Sequence, residues 1–265
     1  MYRITLIISF FYFFIFSNAQ KNDIFFYSYE FLIDSTDLGT IRNDTMPLEI
    51  KDNKTYYFYS KKTYDYNMYF ENLKNENFFN GLDLANSPKP GLDFVFQGDL
   101  ESDTLQIYKD YKKFRVTYFE SHNIQWTILP EQKKYFGYAV QKAITTFKGR
   151  QYIAWFTSEI PIALGPYKFK GLPGLIVEIY DPGKTHYFKL IEQKKGILLP
   201  NDYLDNYKKS TKKEFSAFYK EYLKDPMKSS FPDGGFILSP EAEKKYRDEL
   251  NERNKKRNNP IELTD

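Results

Sequence analysis

The chain contains no cysteine in its 265 residues. This absence excludes disulfide bonds, cysteine-ligated metal sites and thiol chemistry. It also excludes a lipid anchor attached through an N-terminal cysteine. A sizeable hydrophobic core must therefore hold the fold together.

Histidine is almost as scarce, since only His122 and His186 are present. The chain has no HExxH pattern and no G-x-S-x-G pattern, which mark zinc hydrolases and serine hydrolases. A zinc site built on two histidines would need carboxylates from elsewhere in the fold. We therefore predict no catalytic residue, no metal and no cofactor, and we interpret both histidines as ordinary turn or strand residues.

Long apolar runs are also lacking after the first residues of the chain. Arg3 precedes the uncharged run Ile4–Phe16, and Ser17-Asn18-Ala19 follows as a small-x-small cleavage site. The run is shorter than the ~20 residues that a membrane-spanning helix needs. The pattern predicts a signal peptide at residues 1–19 and an exported chain, periplasmic or extracellular, with no membrane span after cleavage.

A strong charge of one sign is missing as well. The 38 basic and 35 acidic residues give a formal net charge of +3. A dedicated nucleic-acid partner would require a clear basic excess, so we predict none.

Aromatic residues are abundant, with 24 Tyr and 25 Phe, and alternating patterns typical of strands cover most of the chain. Strands are predicted over Ile24–Asp34, Thr55–Tyr59, Leu92–Phe96, Thr104–Tyr108, Lys113–Phe119, Ile124–Leu129, Tyr135–Phe147, Arg150–Thr157, Leu175–Tyr180 and Thr185–Glu192. Short turns such as Lys148-Gly149 join them as hairpins. We expect an α+β fold, mostly β, in which an antiparallel meander sheet curls or forms a partial barrel.

Two helices are predicted near the end of the chain. Thr211–Lys224 carries one apolar stripe and opens with a Thr211/Glu214 capping box, so it should pack on the sheet. The second helix opens at Ser239-Pro240, extends to about Arg257 and is mostly charged, which indicates a surface helix.

The rest of the chain shows little periodicity. Residues 34–47 are predicted to be a loop, and residues 61–91 an irregular insertion with a short helix around Asn67–Leu73. We predict a single domain over residues 20–257 and a tail over residues 258–265.

Pro161–Ile176 interrupts the strands with three prolines and three glycines. Pro173-Gly174 suits the centre of a type II turn, with a positive φ at the glycine. Large apolar side chains at Tyr167, Phe169 and Leu172 indicate a rigid loop with buried anchors. Such a loop is either a structural corner between two sheet segments or a functional element.

The hexapeptide Gly171–Ile176, G-L-P-G-L-I, is the signature of the GLPGLI family of Bacteroidetes proteins, and the chain resembles that family most strongly over residues 135–190. Phe147–Arg150, Ala154–Thr157, Glu159–Ile162, Gly165–Phe169 and the later Asn259-Pro260-Ile261 are similar to the family's pattern. The resemblance implies an exported protein of unassigned function. It supplies no catalytic residue.

Three candidate sites surround this loop. Carboxylates Glu159, Glu178 and Asp181 could act together on a glycosidic bond. Glu178 in its apolar strand either marks the solvated face of the strand or is held there, where its pKa would be raised unless it is paired. Arg150, Lys168 and Lys170 could bind a carboxylate or phosphate, or could simply be solvated. Trp155 with Tyr152, Phe156 and Tyr167 could stack on a sugar or peptide, or could pack in the core.

The residues of the candidate binding or structural motif are Arg150, Trp155, Glu159, Pro161, Gly165, Pro166, Tyr167, Lys168, Gly171, Leu172, Pro173, Gly174 and Glu178. The leading hypothesis is a non-enzymatic exported binding or interaction module, whose partner is a small apolar ligand, a peptide or an envelope protein. The alternative is a carboxylate-dependent hydrolase of glycans or peptides. A further alternative places the function in the insertion at residues 61–91.

Overall fold

The computed structural model describes residues 22–75, 92–111, 114–121, 123–200, 202–224 and 239–264. Twelve strands form a single sheet in the order β12-β6-β5-β4-β3-β2-β1-β11-β10-β9-β8-β7. The strands are β1 Asp23–Leu32, β2 Ile41–Lys51, β3 Thr55–Tyr59, β4 Phe94–Asp99, β5 Thr104–Tyr111, β6 Phe114–Ser121, β7 Thr127–Tyr135, β8 Tyr138–Phe147, β9 Arg150–Thr157, β10 Leu175–Tyr180, β11 His186–Lys195 and β12 Lys208–Lys209. The sheet is open, with β12 and β7 at its edges, and the mostly β fold class is confirmed.

Two antiparallel meanders make up the sheet, and β1 joins them. β1 to β6 follow one another in space, as do β7 to β11. β1 pairs with β11 along its length, from Asp23, which lies opposite Lys195, to Phe31, which lies opposite His186. The two-residue β12 pairs with β6 in parallel. The sequence predicts the hairpins within each meander, because they are local, but not the long-range pairing of β1 with β11.

The sheet curls around one large apolar interior. Buried side chains from β1 (Phe25, Tyr27), β5 (Leu105) and β8 (Ala143) belong to the same cluster, although β5 and β8 lie far apart in strand order. Alternate residues of each strand point inward, as the period of two requires.

A second, smaller cluster lies on the outer face of β3, β4 and β5. Tyr59, Val95 and Tyr108 pack there against Leu199 of the segment Ile197–Tyr207, which follows β11. We call Ile197–Tyr207 the outer segment. It keeps part of the outer face of the sheet away from solvent.

Three α-helices complete the described chain: α1 Lys61–Asn75, α2 Lys212–Lys224 and α3 Pro240–Lys255. α2 packs on the sheet through Phe215, whose ring stacks on Tyr118 at 5.4 Å. The Thr211/Glu214 capping box is formed, with backbone N–H groups donating in both directions. Ser239 caps α3 by accepting from the Ala242 N–H at 3.2 Å. Among the described residues, no helix is both long and apolar enough to cross a bilayer.

The loop predicted at residues 34–47 is wrong in its second half, where β2 begins at Ile41. Asn43, Asp44 and Pro47 are poor strand formers, and they hid the pattern. β3 pairs with β2 only from Leu48 onward, so Pro47 has no neighbouring strand on that side and is tolerated.

The irregular insertion predicted from residue 61 is instead regular over its first half, which forms α1. The short helix predicted around Asn67–Leu73 lies within α1 and is confirmed, with wider bounds. Ser60 starts this helix, since its Oγ accepts from the Thr63 N–H at 3.1 Å. Residues 76–91, His122 and the predicted signal peptide lie outside the described residues.

The long strand predicted at Tyr135–Phe147 begins instead at Tyr138. Phe136 and Gly137 both have positive φ, 53° and 86°, and they form a tight turn between β7 and β8. An aromatic residue at positive φ is uncommon, so the sequence pattern gave no sign of this turn.

Candidate functional site

The loop Pro161–Ile176 lies inside the curled sheet. Leu164, Tyr167, Phe169 and Leu172 are all buried in the main core cluster. Phe169 contacts the ring of Tyr152 on β9 with 4.6 Å between centroids, and Tyr167 contacts Phe96 on β4 at 5.2 Å. The loop therefore fills the concave side of the sheet and bridges its two halves.

At Gly174, the close approach of the Thr157 backbone determines the conformation of the loop. A Cβ at Gly174 would lie 2.0 Å from the Thr157 carbonyl oxygen, and φ is +149°. The requirement for glycine is thus confirmed, but the type II turn is wrong. The Gly174 N–H donates to the Leu172 carbonyl at 2.8 Å. In a type II turn the Leu175 N–H would donate to the Leu172 carbonyl, but here it donates to the Ile160 carbonyl across the loop.

The remaining prolines and glycines shape the loop in the same way. A Cβ on Gly165 would lie 2.7 Å from the Ile176 side chain, and Gly171 has a φ of +95°. The Pro166 carbonyl accepts from the Phe169 N–H at 3.2 Å, which closes a turn around Tyr167 at a φ of +59°. Pro161 and Pro173 lie at exposed positions at the two ends of the loop.

The loop presents two polar groups to the C-terminal segment Asn258–Thr264, which we call the strap. The Tyr167 hydroxyl donates to Glu262 Oε1 at 2.6 Å. Lys168 Nζ lies 2.7 Å from the same Glu262 oxygen and 3.0 Å from Glu120 Oε2 on β6. Burial would raise the pKa of Glu120, but Lys168 and two further lysines outweigh burial and lower it.

β9 and the turn before it contact further residues of the strap. Arg150 donates from Nη2 to Asn259 Oδ1 and to the Pro260 carbonyl, both at 2.8 Å. The Tyr152 hydroxyl donates to the Ile261 carbonyl at 2.8 Å. The Leu263 and Thr264 N–H groups both donate to the Lys148 carbonyl, at 2.8 and 3.2 Å. We refer to Lys148, Arg150, Tyr152, Tyr167 and Lys168 together as the strap site.

A buried polar network supports Arg150 from the other side. Asp181 lies 3.5 Å from Arg150 and accepts from the His186 N–H at 2.6 Å. His186 Nδ1 hydrogen-bonds the Tyr29 hydroxyl at 2.8 Å. Burial, with the nearby Arg150 charge, lowers the pKa of His186 to about 4, so the ring is neutral at pH 7.

The three predicted carboxylates do not share a site. Glu178 is 5% exposed, so it is not a solvated side chain; Lys133 and the Tyr187 hydroxyl bind it. Asp181 belongs to the network beneath Arg150. Glu159 is exposed and accepts from the Ala139 N–H at 2.8 Å.

Two of the three predicted cations, Arg150 and Lys168, contact the strap, and all three already have partners within the chain. Arg150 contacts Asp181 and the strap, and Lys168 contacts Glu120 and Glu262. Lys170 donates to the Ser102 carbonyl at 2.6 Å, and the Lys170 carbonyl accepts from the Trp126 ring N–H at 2.8 Å. The carboxylate that Lys168 binds is thus one from the chain itself.

The predicted aromatic platform is divided between the two faces of the sheet. Tyr152, Phe156 and Tyr167 are in the core, whereas Trp155 is half-buried on the outer face, where Lys133 Nζ lies 4.3 Å from its ring centroid. Core packing is therefore the role of the first three, and they form no shared platform with Trp155.

A small cavity lies in the tyrosine cluster of the outer face. Its volume is about 10 Å³, which is room for about one water molecule. None of the residues predicted from the sequence lines it. The lining residues are Tyr59, Ser60, Thr63, Asp93, Phe94, Val95, Tyr108, Asp110, Tyr203 and Tyr207.

Sequence reasoning missed the strap, because it treated residues 258–265 as a tail. The signal was present in Asn259-Pro260-Ile261, where a polar residue, a proline and an aliphatic residue follow a charged helix. The division into domain and tail stays a prediction, although the contacts of the sheet extend to Thr264.

The geometry described so far defines a β-rich protein with an open sheet, an internal loop and a strapped C-terminal segment. A family model described as a protein of unknown function, Porph_ging, matches residues 99–178. This range includes all five residues of the strap site and the whole Gly171–Ile176 hexapeptide.

The fold is similar to solved structures of PNGF-II. One, in space group P21, has a TM-score of 0.53 at 14% identity and covers 74% of this chain; the other, in C2, has a TM-score of 0.52 at 15% identity and covers 77%. This chain spans only 32% and 33% of those chains, about a third of their length. No curated protein matches the chain. At this level of identity the likeness concerns the fold alone.

Proposed function

We propose that this protein is an exported, non-enzymatic interaction module that binds a polypeptide segment at the strap site. One observation carries the proposal: five residues from β9, the turn before it and the internal loop contact the strap through its side chains and its backbone. Such contacts do not depend on the segment belonging to the same chain.

The filled interior supports a surface site over an internal one. Phe169 and Leu172 are 1% exposed, and they occupy the concave side where a small apolar ligand would otherwise bind. Small-molecule sites are usually preformed concavities, and the curled sheet uses its own concavity for packing. A polypeptide partner on the surface fits this arrangement better.

The separation of the carboxylates favours an interaction module over a hydrolase. A glycosidase needs two carboxyl groups on opposite sides of one scissile bond. Here Glu178 is bound by Lys133 on the outer face, and Asp181 supports Arg150 in a buried network. Each carboxylate has a structural partner of its own.

Peptide binding by the full chain tests the proposal. In an Asn259→Ala/Glu262→Ala variant, the chain's own strap loses the side-chain contact of Asn259 with Arg150 and the contacts of Glu262 with Tyr167 and Lys168, so the site should open. A fluorescent peptide of residues 256–265 should then bind this variant saturably. It should bind the wild-type chain at least ~10-fold more weakly, because the tethered strap competes at an effective concentration of about millimolar.

The matched control is the same peptide carrying both alanine replacements, which should not bind. Circular dichroism establishes that the variant is folded; should it unfold, the single Glu262→Gln variant replaces it. A folded variant that does not bind the native peptide would contradict the proposal.

The exported state is tested separately. The intact mass of the protein recovered from its native cells should correspond to a chain that begins at Gln20, since cleavage after Ala19 is predicted. Recovery of a chain that retains Met1 would remove export from the proposal.

A further inference from the structure

The chain carries both partners of a specific contact, a strap and a site that binds it. The contacts join residues far apart in sequence, such as Arg150 with Asn259 and Tyr167 with Glu262. We propose that the strap of one copy binds the strap site of a second copy, so that two chains exchange their C-terminal segments. This inference rests on the proposed function, since it names the partner that the strap site binds.

The chemistry of the strap site selects a narrow class of occupant. Both ends of the Asn259 amide are used, since Oδ1 accepts from Arg150 and Nδ2 donates to the Leu32 carbonyl at 2.8 Å. Pro260 brings no N–H that would need a partner. An occupant with another residue in place of Asn259 would leave buried polar groups unpaired.

Ile261 and Glu262 further restrict which peptide sequences can occupy the strap site. Ile261 packs against the main core, and Glu262 receives hydrogen bonds or charge from both Tyr167 and Lys168. The site therefore requires Asn-Pro-aliphatic-Glu in the conformation that the strap adopts. A second copy of this chain brings that sequence with the correct polarity.

Exchange replaces each strap contact with an identical one. Two copies related by a twofold axis fill both sites with the same hydrogen bonds that each copy makes alone, which is why segment exchange is a low-cost route to dimers. The balance between the closed and exchanged forms then depends on protein concentration against the effective concentration of the tethered strap.

The helix α3, which precedes the strap, can move with the strap at a small cost in free energy. Most described side chains of α3 are exposed, among them Glu241, Lys244 and Glu249. The described side chains of this helix contribute little apolar surface that its movement would uncover, and apolar surface is the main term that would oppose exchange.

Complementation between two full-chain variants tests the inference. The acceptor is Asn259→Ala/Glu262→Ala, with an intact site and a weakened strap. The donor is Arg150→Gln, with an intact strap and a weakened site. We expect each variant alone to be a monomer, and the mixture to form a 1:1 heterodimer in native mass spectrometry, because one intact site meets one intact strap.

The matched control mixes the acceptor with a donor that also carries Asn259→Ala/Glu262→Ala; it should give no heterodimer. If Arg150→Gln does not fold, Tyr152→Phe/Tyr167→Phe removes two strap hydrogen bonds while keeping both rings in the core. A folded pair that binds the 256–265 peptide but stays monomeric would overturn exchange and leave the proposed function standing. Absence of both peptide binding and heterodimer would overturn both.

Discussion

Two irregular segments cover opposite faces of the same sheet, and they are held by different forces. The internal loop Pro161–Ile176 lies against the concave face and is held by apolar anchors and by glycines with no room for a side chain. The outer segment Ile197–Tyr207 lies on the convex face and is held by a buried carboxylate. Glu49 is 0% exposed and accepts from the Leu198 and Leu199 N–H groups at 3.2 and 3.0 Å.

Polar contacts hold the outer segment through its carbonyl groups as well as its N–H groups. Lys51 Nζ donates to the Leu199 carbonyl at 2.6 Å and lies 3.8 Å from Glu49. A segment inside an apolar core is thus specified by shape, whereas a segment on the outer face is specified by charge-assisted hydrogen bonds. The comparison predicts that the two segments respond to different kinds of substitution.

The largest effect is expected for Gly174→Val in the internal loop. The new Cβ would meet the Thr157 carbonyl at 2.0 Å, and the β9 backbone cannot move without disturbing its pairing with β8 and β10. We expect a loss of at least ~4 kcal/mol in the free energy of unfolding, or no folded protein. Urea unfolding followed by circular dichroism measures it.

Gly137→Val is the matched control, because Gly137 also has a positive φ of 86° but nothing within 4 Å of the added Cβ. Its cost should be about 2 kcal/mol, from backbone conformation alone. Equal losses at the two positions would show that close approach does not specify the loop.

The next largest effect concerns pH. His186 has a pKa lowered to about 4 by burial, so between pH 6.5 and 4 the unfolded chain binds a proton that the folded chain does not. Stability from this group is complete above pH 6.5 and is lost as the pH falls, by about 3 kcal/mol in all. His186→Gln should reduce the pH dependence of urea unfolding in this range by about that amount.

The outer segment provides the comparison for this measurement. It contains no histidine, so substitutions there should shift stability by a similar amount at pH 7 and pH 5. An unchanged pH profile in His186→Gln would mean that the buried network beneath the strap tolerates a charged ring.

The smallest of the three effects is expected for Glu49→Gln. An amide has only one acceptor oxygen, so it cannot accept from Leu198, Leu199 and Tyr59 at once, and its NH₂ group would face donors. We expect a loss of about 2 kcal/mol in the free energy of unfolding. Glu192→Gln, at a half-exposed pair with Lys194, should change it by less than ~1 kcal/mol. Equal effects at the two glutamates would refute polar fixation of the outer segment.

Local patterns explain which parts of the fold the sequence could predict. Thr55–Tyr59, Arg150–Thr157 and Leu175–Tyr180 are strands with the predicted bounds, because alternation or a continuous apolar run marks each one. β2 was missed, and α1 was predicted too short, because Pro47 and a run of tyrosines and asparagines mask the period. Tertiary packing on the sheet overrides such weak local preferences.

The candidate site was predictable only in part, for a related reason. The rigid loop, its buried anchors and the glycine at position 174 follow from residue chemistry. The partners of Arg150 and Lys168 do not, because Asn259 and Glu262 lie about a hundred residues later in the chain and share no pattern with them. A single sequence carries no signal for such a pairing.

The central position of β1 has a consequence for folding kinetics. Each meander is built from neighbours in sequence, and such local contacts form quickly. The pairing of β1 with β11 closes a very long loop of chain, since it places Asp23 opposite Lys195 and Phe31 opposite His186. We therefore expect each half to acquire structure early and the seam between β1 and β11 to form late, leaving two unpaired strand edges exposed on any folding intermediate.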